Sequence, residues 1–171
     1  MNLVKKTIVV ALSILSLSAV AQTESDEKGL YIEGGLSYLS LKYGNYSSYL
    51  GTTYAIYGGY NINKYLAAEV MSAHSSTSDY STTLTFGGAF IKPKYPINES
   101  LEIFGRVGYN NMTLSTSYGG SLSKTYTSFG GGLTAYITSD KKQYISADYM
   151  RWAAANGYTL AGPAITYGYK F

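Results

Sequence analysis

His74 is the one histidine of this 171-residue chain, and Ser75 and Ser76 follow it directly. A His-x-Ser pair holds the minimum for nucleophilic hydrolysis: the imidazole takes the hydroxyl proton and an acid orients the ring. The acid is what the sequence supplies poorly, because Asp79 falls in a polar connection and Glu69 on the opposite strand parity. Metal chemistry has less to work with, since there is no Cys and no second His. The richer set is ionic. Glu33, Glu69, Glu102 and Asp148 recur on the same parity as Lys92, Lys94, Arg106 and Lys170. Charges of both signs inside a narrow tube must pair, because water there is scarce. They form either a fixed plug or a gate whose pairs exchange to admit small ions. Lys42, Lys124 and Arg151 fall near longer polar connections, where Arg suits bidentate phosphate binding.

The elements that position these groups have a period of two. In the run from Leu30, the residues Leu30, Ile32, Leu36 and Tyr38 oppose Glu33, Gly35 and Ser37. Leu66, Ala68 and Val70 oppose Ala67, Glu69 and Met71, and Leu101, Ile103, Val107 and Tyr109 oppose Glu102, Phe104, Arg106 and Asn110. Further strands are expected over Thr52 to Ile62, Thr83 to Tyr95, Thr125 to Ile137, Tyr144 to Trp152 and Tyr158 to Phe171. In Thr83 to Tyr95, outward Ile91, Pro93 and Tyr95 place Lys92 and Lys94 inside together with Phe86 and Phe90. A bulge near Gly87-Gly88 is expected to reconcile the two halves.

Tight polar turns at Asn61 to Lys64, Pro96 to Ser100 and Ser139 to Lys142 alternate with longer polar stretches. The latter are Tyr43 to Gly51, Ser75 to Thr82, Asn111 to Lys124 and the shorter Ala153 to Gly157. Eight strands joined in this way, with both chain ends on the short-turn side, describe an up-and-down barrel with outer-membrane asymmetry. Met1 to Ala21 carries Lys5 and Lys6, an uncharged run to Val20, and Ala19-Val20-Ala21. That is the pattern of a secretory signal peptide, so residues 1–21 are expected as leader and 22–171 as the barrel domain. No later segment reaches the roughly 20 apolar residues of a spanning helix. Charged residues are 13% of the chain, against about 25% in soluble domains, which argues against disorder and coiled coil. The near-balanced charge leaves no nucleic-acid footprint. Twenty Tyr suit aromatic girdles, and a soluble lipocalin-like barrel fits the sparse polar parity less well.

Tyr167, Tyr169 and Phe171 alternate back from the end, with Thr166 where a glycine is usual. This resembles the C-terminal signal by which outer-membrane barrels are recognised for assembly. Gly58 to Glu69 and Leu101 to Gly108 resemble the eight-stranded transmembrane domain of the OmpA type and the opacity and attachment-invasion surface proteins. The resemblance implies a small, non-enzymatic outer-membrane barrel of a Gram-negative bacterium, with no cofactor. It implies an inward ion-pair network at Glu69 and Arg106, extended by parity to Glu33, Glu102, Asp148 and Lys92. The His74 pair resembles the site of outer-membrane lipid A deacylases.

The fold class expected is thus all-β, an eight-stranded antiparallel up-and-down transmembrane β-barrel. Its expected role is envelope structure and adhesin-like surface interaction through loops rich in Tyr, Ser, Gly and Asn, a composition shared with antibody paratopes. The alternatives are a narrow gated ion channel and, third, a lipid A hydrolase. Expected partners are membrane lipid, lipopolysaccharide, the barrel-assembly machinery and a host or matrix ligand, with the chain a monomer.

Overall fold

A computed structural model describes residues 28–77, 82–116 and 120–171. The expected leader at 1–21, and Asp79, lie outside them. The described chain forms β1 (Gly29–Tyr43), β2 (Tyr46–Asn63), β3 (Leu66–Thr77), β4 (Thr82–Pro96), β5 (Leu101–Thr116), β6 (Ser121–Tyr136), β7 (Gln143–Ala155) and β8 (Tyr158–Lys170). These close into one barrel in sequence order, every neighbour antiparallel and β8 returning to β1. Closure removes the sheet edges that lipid cannot hydrogen-bond.

The alternation read from the sequence decides which face meets lipid. Ile32, Leu36, Ile56, Val70, Ile91, Ile103, Val107, Leu133, Ile145 and Ile165 all point out and are exposed. Tyrosines and two phenylalanines bracket this aliphatic band: Tyr60, Tyr65, Tyr95, Tyr167 and Phe171 at the end where β1 begins and β8 finishes, Tyr38, Tyr54, Tyr109, Phe129 and Tyr149 toward the other. Aromatic rings belong at the two interfaces, where one edge is apolar and the other wet.

Three expectations need correction. β4 has no bulge at Gly87-Gly88: its register with β3 runs unbroken from Leu66↔Pro93 to Thr77↔Thr82. Phe86, Phe90, Lys92 and Lys94 are all buried on one inward row, because the lumen has an apolar as well as an ionic section. The irregularities fall elsewhere, at Leu39/Ser40 in β1–β2, Asn61/Asn63 in β2–β3 and Arg151/Ala153 in β7–β8. Second, the strands run 12–18 residues rather than about 10. Third, most of the expected long connections are strand. β1 and β2 stay paired up to Tyr43↔Tyr46, leaving Gly44 (φ +55°) and Asn45 to turn. β5 and β6 pair up to Ser115↔Ser121, and β7–β8 closes on Asn156 (φ +50°) and Gly157 (φ +80°), the Asn-Gly pair that a tight hairpin favours. Ser, Thr and Tyr read as loop because they are polar, yet Thr and Tyr are also good strand formers.

Candidate functional site: the barrel lumen

The lumen is built in layers. Nearest the termini, Lys94 lies 3.7 Å from Glu102, and Lys170 donates to the Tyr136 hydroxyl at 2.9 Å. Tyr136 in turn donates to Glu102 at 3.2 Å. These side chains, with Tyr31, Asn61, Lys92, Thr134 and Tyr144, line a cavity of about 10 Å³, room for about one water.

Above this lies the central layer. Arg106 is fully buried and meets three carboxylates. Its Nε and Nη2 donate to the two oxygens of Glu69 at 2.5 and 3.2 Å. Nη2 also reaches Glu33 at 3.1 Å, and Nη1 reaches Asp148 at 2.8 Å. The fork geometry of the guanidinium makes this possible, and a lysine would not reproduce it. Lys92 fills the other side, 2.5 Å from Glu33 and 3.1 Å from Glu69. The strands supply these groups from five directions because Glu33, Glu69, Lys92, Arg106 and Asp148 each sit a few residues from the terminal end of a different strand.

Sequence reasoning missed the aromatic frame. Tyr31 donates to Glu69 at 2.7 Å and Tyr144 to Glu33 at 3.1 Å. The Arg106 guanidinium lies 4.3 Å from the Tyr57 ring centroid, and Lys92 4.6 Å from that of Phe104. The signal was available for three of them, since Tyr31, Phe104 and Tyr144 share the parity of the charges on their own strands, whereas the strand of Tyr57 carries no charge. Gly59 and Gly168 leave room for two of these rings: a Cβ at either would collide with Tyr31 or Tyr144 respectively.

Beyond the charges the lumen turns apolar. Leu39, Tyr57, Met71, Phe86, Phe90, Met150, Trp152 and Leu160 form one buried cluster. Trp152 lies 5.9 Å from Phe86 and edge-on to Phe90 at 6.2 Å, measured between ring centroids. The inward parity is therefore not polar throughout, contrary to the sequence reading. The tube is closed twice, by ions and by rings.

The remaining candidates lie outside the lumen. His74 points outward and is exposed, whereas Ser75 points inward and its hydroxyl donates to the Thr52 carbonyl at 3.3 Å. No His, Cys, Asp and Glu cluster able to hold a metal occurs among the described residues. Arg151 faces out with its guanidinium 4.0 Å from the Phe129 ring centroid, while Lys42 and Lys124 are exposed. Tyr167 is exposed and its hydroxyl donates to Gln143; Tyr169 and Phe171 pack edge to face at 5.4 Å.

Solved structures share this architecture at low identity. Ail, the attachment invasion locus protein of Yersinia pestis, is 18% identical over 85% of this chain and 99% of its own, with a TM-score of 0.62. Neisserial surface protein A is 16% identical over 84% and 97%, with a TM-score of 0.63. The N-terminal barrel of Pseudomonas aeruginosa OprF is 12% identical over 83% and 99%, with a TM-score of 0.58. No curated protein sequence matches the chain. The family model for the outer membrane protein beta-barrel domain matches residues 7–171. The chain belongs to that family and is a small eight-stranded barrel of the Gram-negative outer membrane.

Proposed function

We propose that this barrel is a non-enzymatic surface-interaction protein that also serves as a structural element of the envelope. One observation carries the reading: paired strands continue past the upper aromatic ring and display tyrosines to the exterior. Tyr46 is 82% exposed and Leu122 70%, with Tyr43, Tyr49 and Tyr158 also exposed. Tyr38 stacks on Tyr49 at 3.9 Å and Tyr43 on Tyr158 at 4.3 Å, so the display is rigid and costs little entropy to engage. Ail was crystallised with a heparin analogue. In this chain the described charges of the exposed hairpins are Lys42 and Lys124, both cationic, which suits an anionic host or matrix surface.

In this reading Arg151, Lys42 and Lys124 also face lipopolysaccharide phosphates, and Tyr167, Tyr169 and Phe171 serve the assembly machinery. Residues 1–21 serve as the leader, and the barrel acts as a monomer. The channel reading has less support, because passage requires both closures of the lumen to move. Hydrolysis at His74 has no described acid to orient the ring.

The test is adherence of cells producing the chain to host cells or matrix, compared with a variant carrying Ser at Tyr43, Tyr46, Tyr49 and Tyr158. Loss of adherence with an unchanged heat-modifiable band supports the reading. Equal adherence by both overturns it.

A further inference from the structure

The end of the lumen where β1 begins and β8 finishes differs in charge from the layer above it. Asn61, Lys94, Glu102 and Lys170 each lie within two residues of a strand end and take the inward parity, so four strands bring them to one mouth. Lys94 and Lys170 stand there against Glu102 alone. Among the described residues Lys170 has no carboxylate within ion-pair distance: its ammonium donates to the Tyr136 hydroxyl at 2.9 Å and lies 4.4 Å from that ring's centroid. The mouth therefore holds one positive charge in excess. The central layer has the opposite excess, three carboxylates against two cations. Its charged member that lines the cavity is nonetheless Lys92, bonded to Glu33 and Glu69. The cavity of about 10 Å³ is thus faced by three ammonium groups and one carboxylate.

Its hydrogen bonding is equally one-sided. Lys94 is buried, and its Nζ lies 3.7 Å from Glu102, longer than a hydrogen bond. A lysine carries three donors and no acceptor, so the donors of Lys94 are unspent among the described residues. Asn61 is 5% exposed, lines the same cavity, and its side-chain amide bonds to no described residue. That amide adds two further donors. Acceptors are scarce. The Oε2 of Glu102, the oxygen nearest Lys94, already accepts from the Tyr136 hydroxyl at 3.2 Å, and the Tyr136 oxygen is taken by Lys170. Buried donors without acceptors and a buried charge without a counter-charge both cost free energy. One small anion at this point relieves both.

We propose that the cavity is a binding site for one monatomic anion, chloride in ordinary saline, held between the Lys94 and Lys170 ammonium groups with the Asn61 amide as a third donor. Size decides the class. The space takes about one water, which admits a halide and excludes sulfate, phosphate and the carboxylates of larger molecules. The anion enters from the compartment at this end, because the walls of the site are the end residues of the strands. The site exists only in the closed barrel, since its groups come from four strands that separate on unfolding. Binding therefore stabilises the folded state by mass action.

Crystals of the folded barrel grown with bromide in place of chloride, and measured at the bromine absorption edge, test the location. One anomalous peak is expected in the cavity, between Lys94 and Lys170. No peak there, while exposed sites on the same barrel show bromide, means that the cavity holds water only and overturns the proposal. Urea unfolding in vesicles, with chloride exchanged for gluconate at constant ionic strength, tests the energetics. A tenfold rise in chloride above its dissociation constant should raise the folding equilibrium constant by close to about tenfold. Lys170→Gln removes the charge excess and should abolish that dependence. Glu102→Gln enlarges the excess and should move saturation to lower chloride by about tenfold or more, a gain that loss of a merely structural carboxylate does not give. A chloride dependence absent from the wild type, or unchanged in Lys170→Gln, means binding at crystal concentration only and overturns the proposal even with a bromide peak. The bromide reading is made on the wild-type barrel and stands where a variant does not fold.

Discussion

The two closures of the lumen are built from opposite chemistry. The Arg106 layer holds three carboxylates against two cations within a fully buried cross-section. The Trp152 layer, one storey higher, holds rings and aliphatic chains. Ions in a low dielectric gain attraction only while every partner is present, and each carries a desolvation cost that its partners must offset. Apolar groups gain from burial singly, in proportion to area. The ionic closure is therefore a mutual contract and the apolar one a sum of parts, and that difference is measurable.

The largest expected effect is on the ionic side. Arg106→Ala leaves Glu33, Glu69 and Asp148 buried around one remaining cation, and should cost about 3–5 kcal/mol of stability. Urea unfolding in vesicles, followed by gel mobility with and without boiling, reads this directly. Adding Glu69→Gln to Arg106→Ala should then restore part of the loss, because the second change removes an unpaired charge. If the double variant is worse than Arg106→Ala, the layer is not acting as a network.

Trp152→Ala should cost about as much or slightly less, roughly 3–4 kcal/mol, through lost burial and the cavity left behind. Here a second change, Phe86→Ala, should deepen the loss rather than relieve it. Planar bilayers sharpen the contrast further. The wild type, Arg106→Ala and Trp152→Ala should all be silent, since one closure survives in each. A triple variant, Arg106→Ala with Trp152→Ala and Phe86→Ala, should conduct. Discrete steps from Arg106→Ala alone would show that the apolar layer does not seal.

A smaller effect is expected where the layers are fitted to the wall. Gly59→Ala pushes a methyl into the Tyr31 ring, which must move from its 2.7 Å bond to Glu69. Overpacking of this kind costs about 1–3 kcal/mol, and the midpoint of urea unfolding checks it.

These two regions also differ in how far the sequence disclosed them. Period two placed Ile103 and Val107 toward lipid and Arg106 inside, because a one-residue slip would put charge into hydrocarbon, so register is strongly specified there. Trp152 sat at the end of an expected strand with nothing to mark it as a stopper. Its inward position follows the same alternation as Ser146, Asp148 and Met150, but the alternation says only which face a residue takes, not that the lumen at that height is filled by rings. The β7 bulge shows instead in Ala153, which turns inward beside it. The expected bulge at Gly87-Gly88 was the reverse error: Phe86 and Lys92 share a parity without conflict once the lumen is known to be layered. Beyond Glu69 and Arg106, which carboxylate meets which cation was equally illegible, since Glu33 and Lys92, or Asp148 and Arg106, approach across the lumen and not along any strand pair.

The smallest expected effect lies at the terminal end of the barrel, in the β6–β7 turn. Asp140 accepts from the Thr138 hydroxyl at 2.5 Å and from the Lys142 amide at 3.0 Å. These bonds favour the carboxylate and hold its pKa below the ordinary aspartate value, the Thr138 bond contributing most. A folded-state pKa below the unfolded one means that the contribution is present above the unfolded value, about 3.9, and disappears as pH falls through the folded one. Asp140→Asn should therefore be slightly less stable than wild type at pH 7 and indistinguishable from it at pH 2–3. Unfolding curves of the two proteins at the two pH values test this. The group is fully exposed and the turn is held by its neighbours' bonds as well, so the gap must be far smaller than that of Arg106→Ala. A large gap would mean that the turn, rather than the ionic layer above it, closes the terminal end.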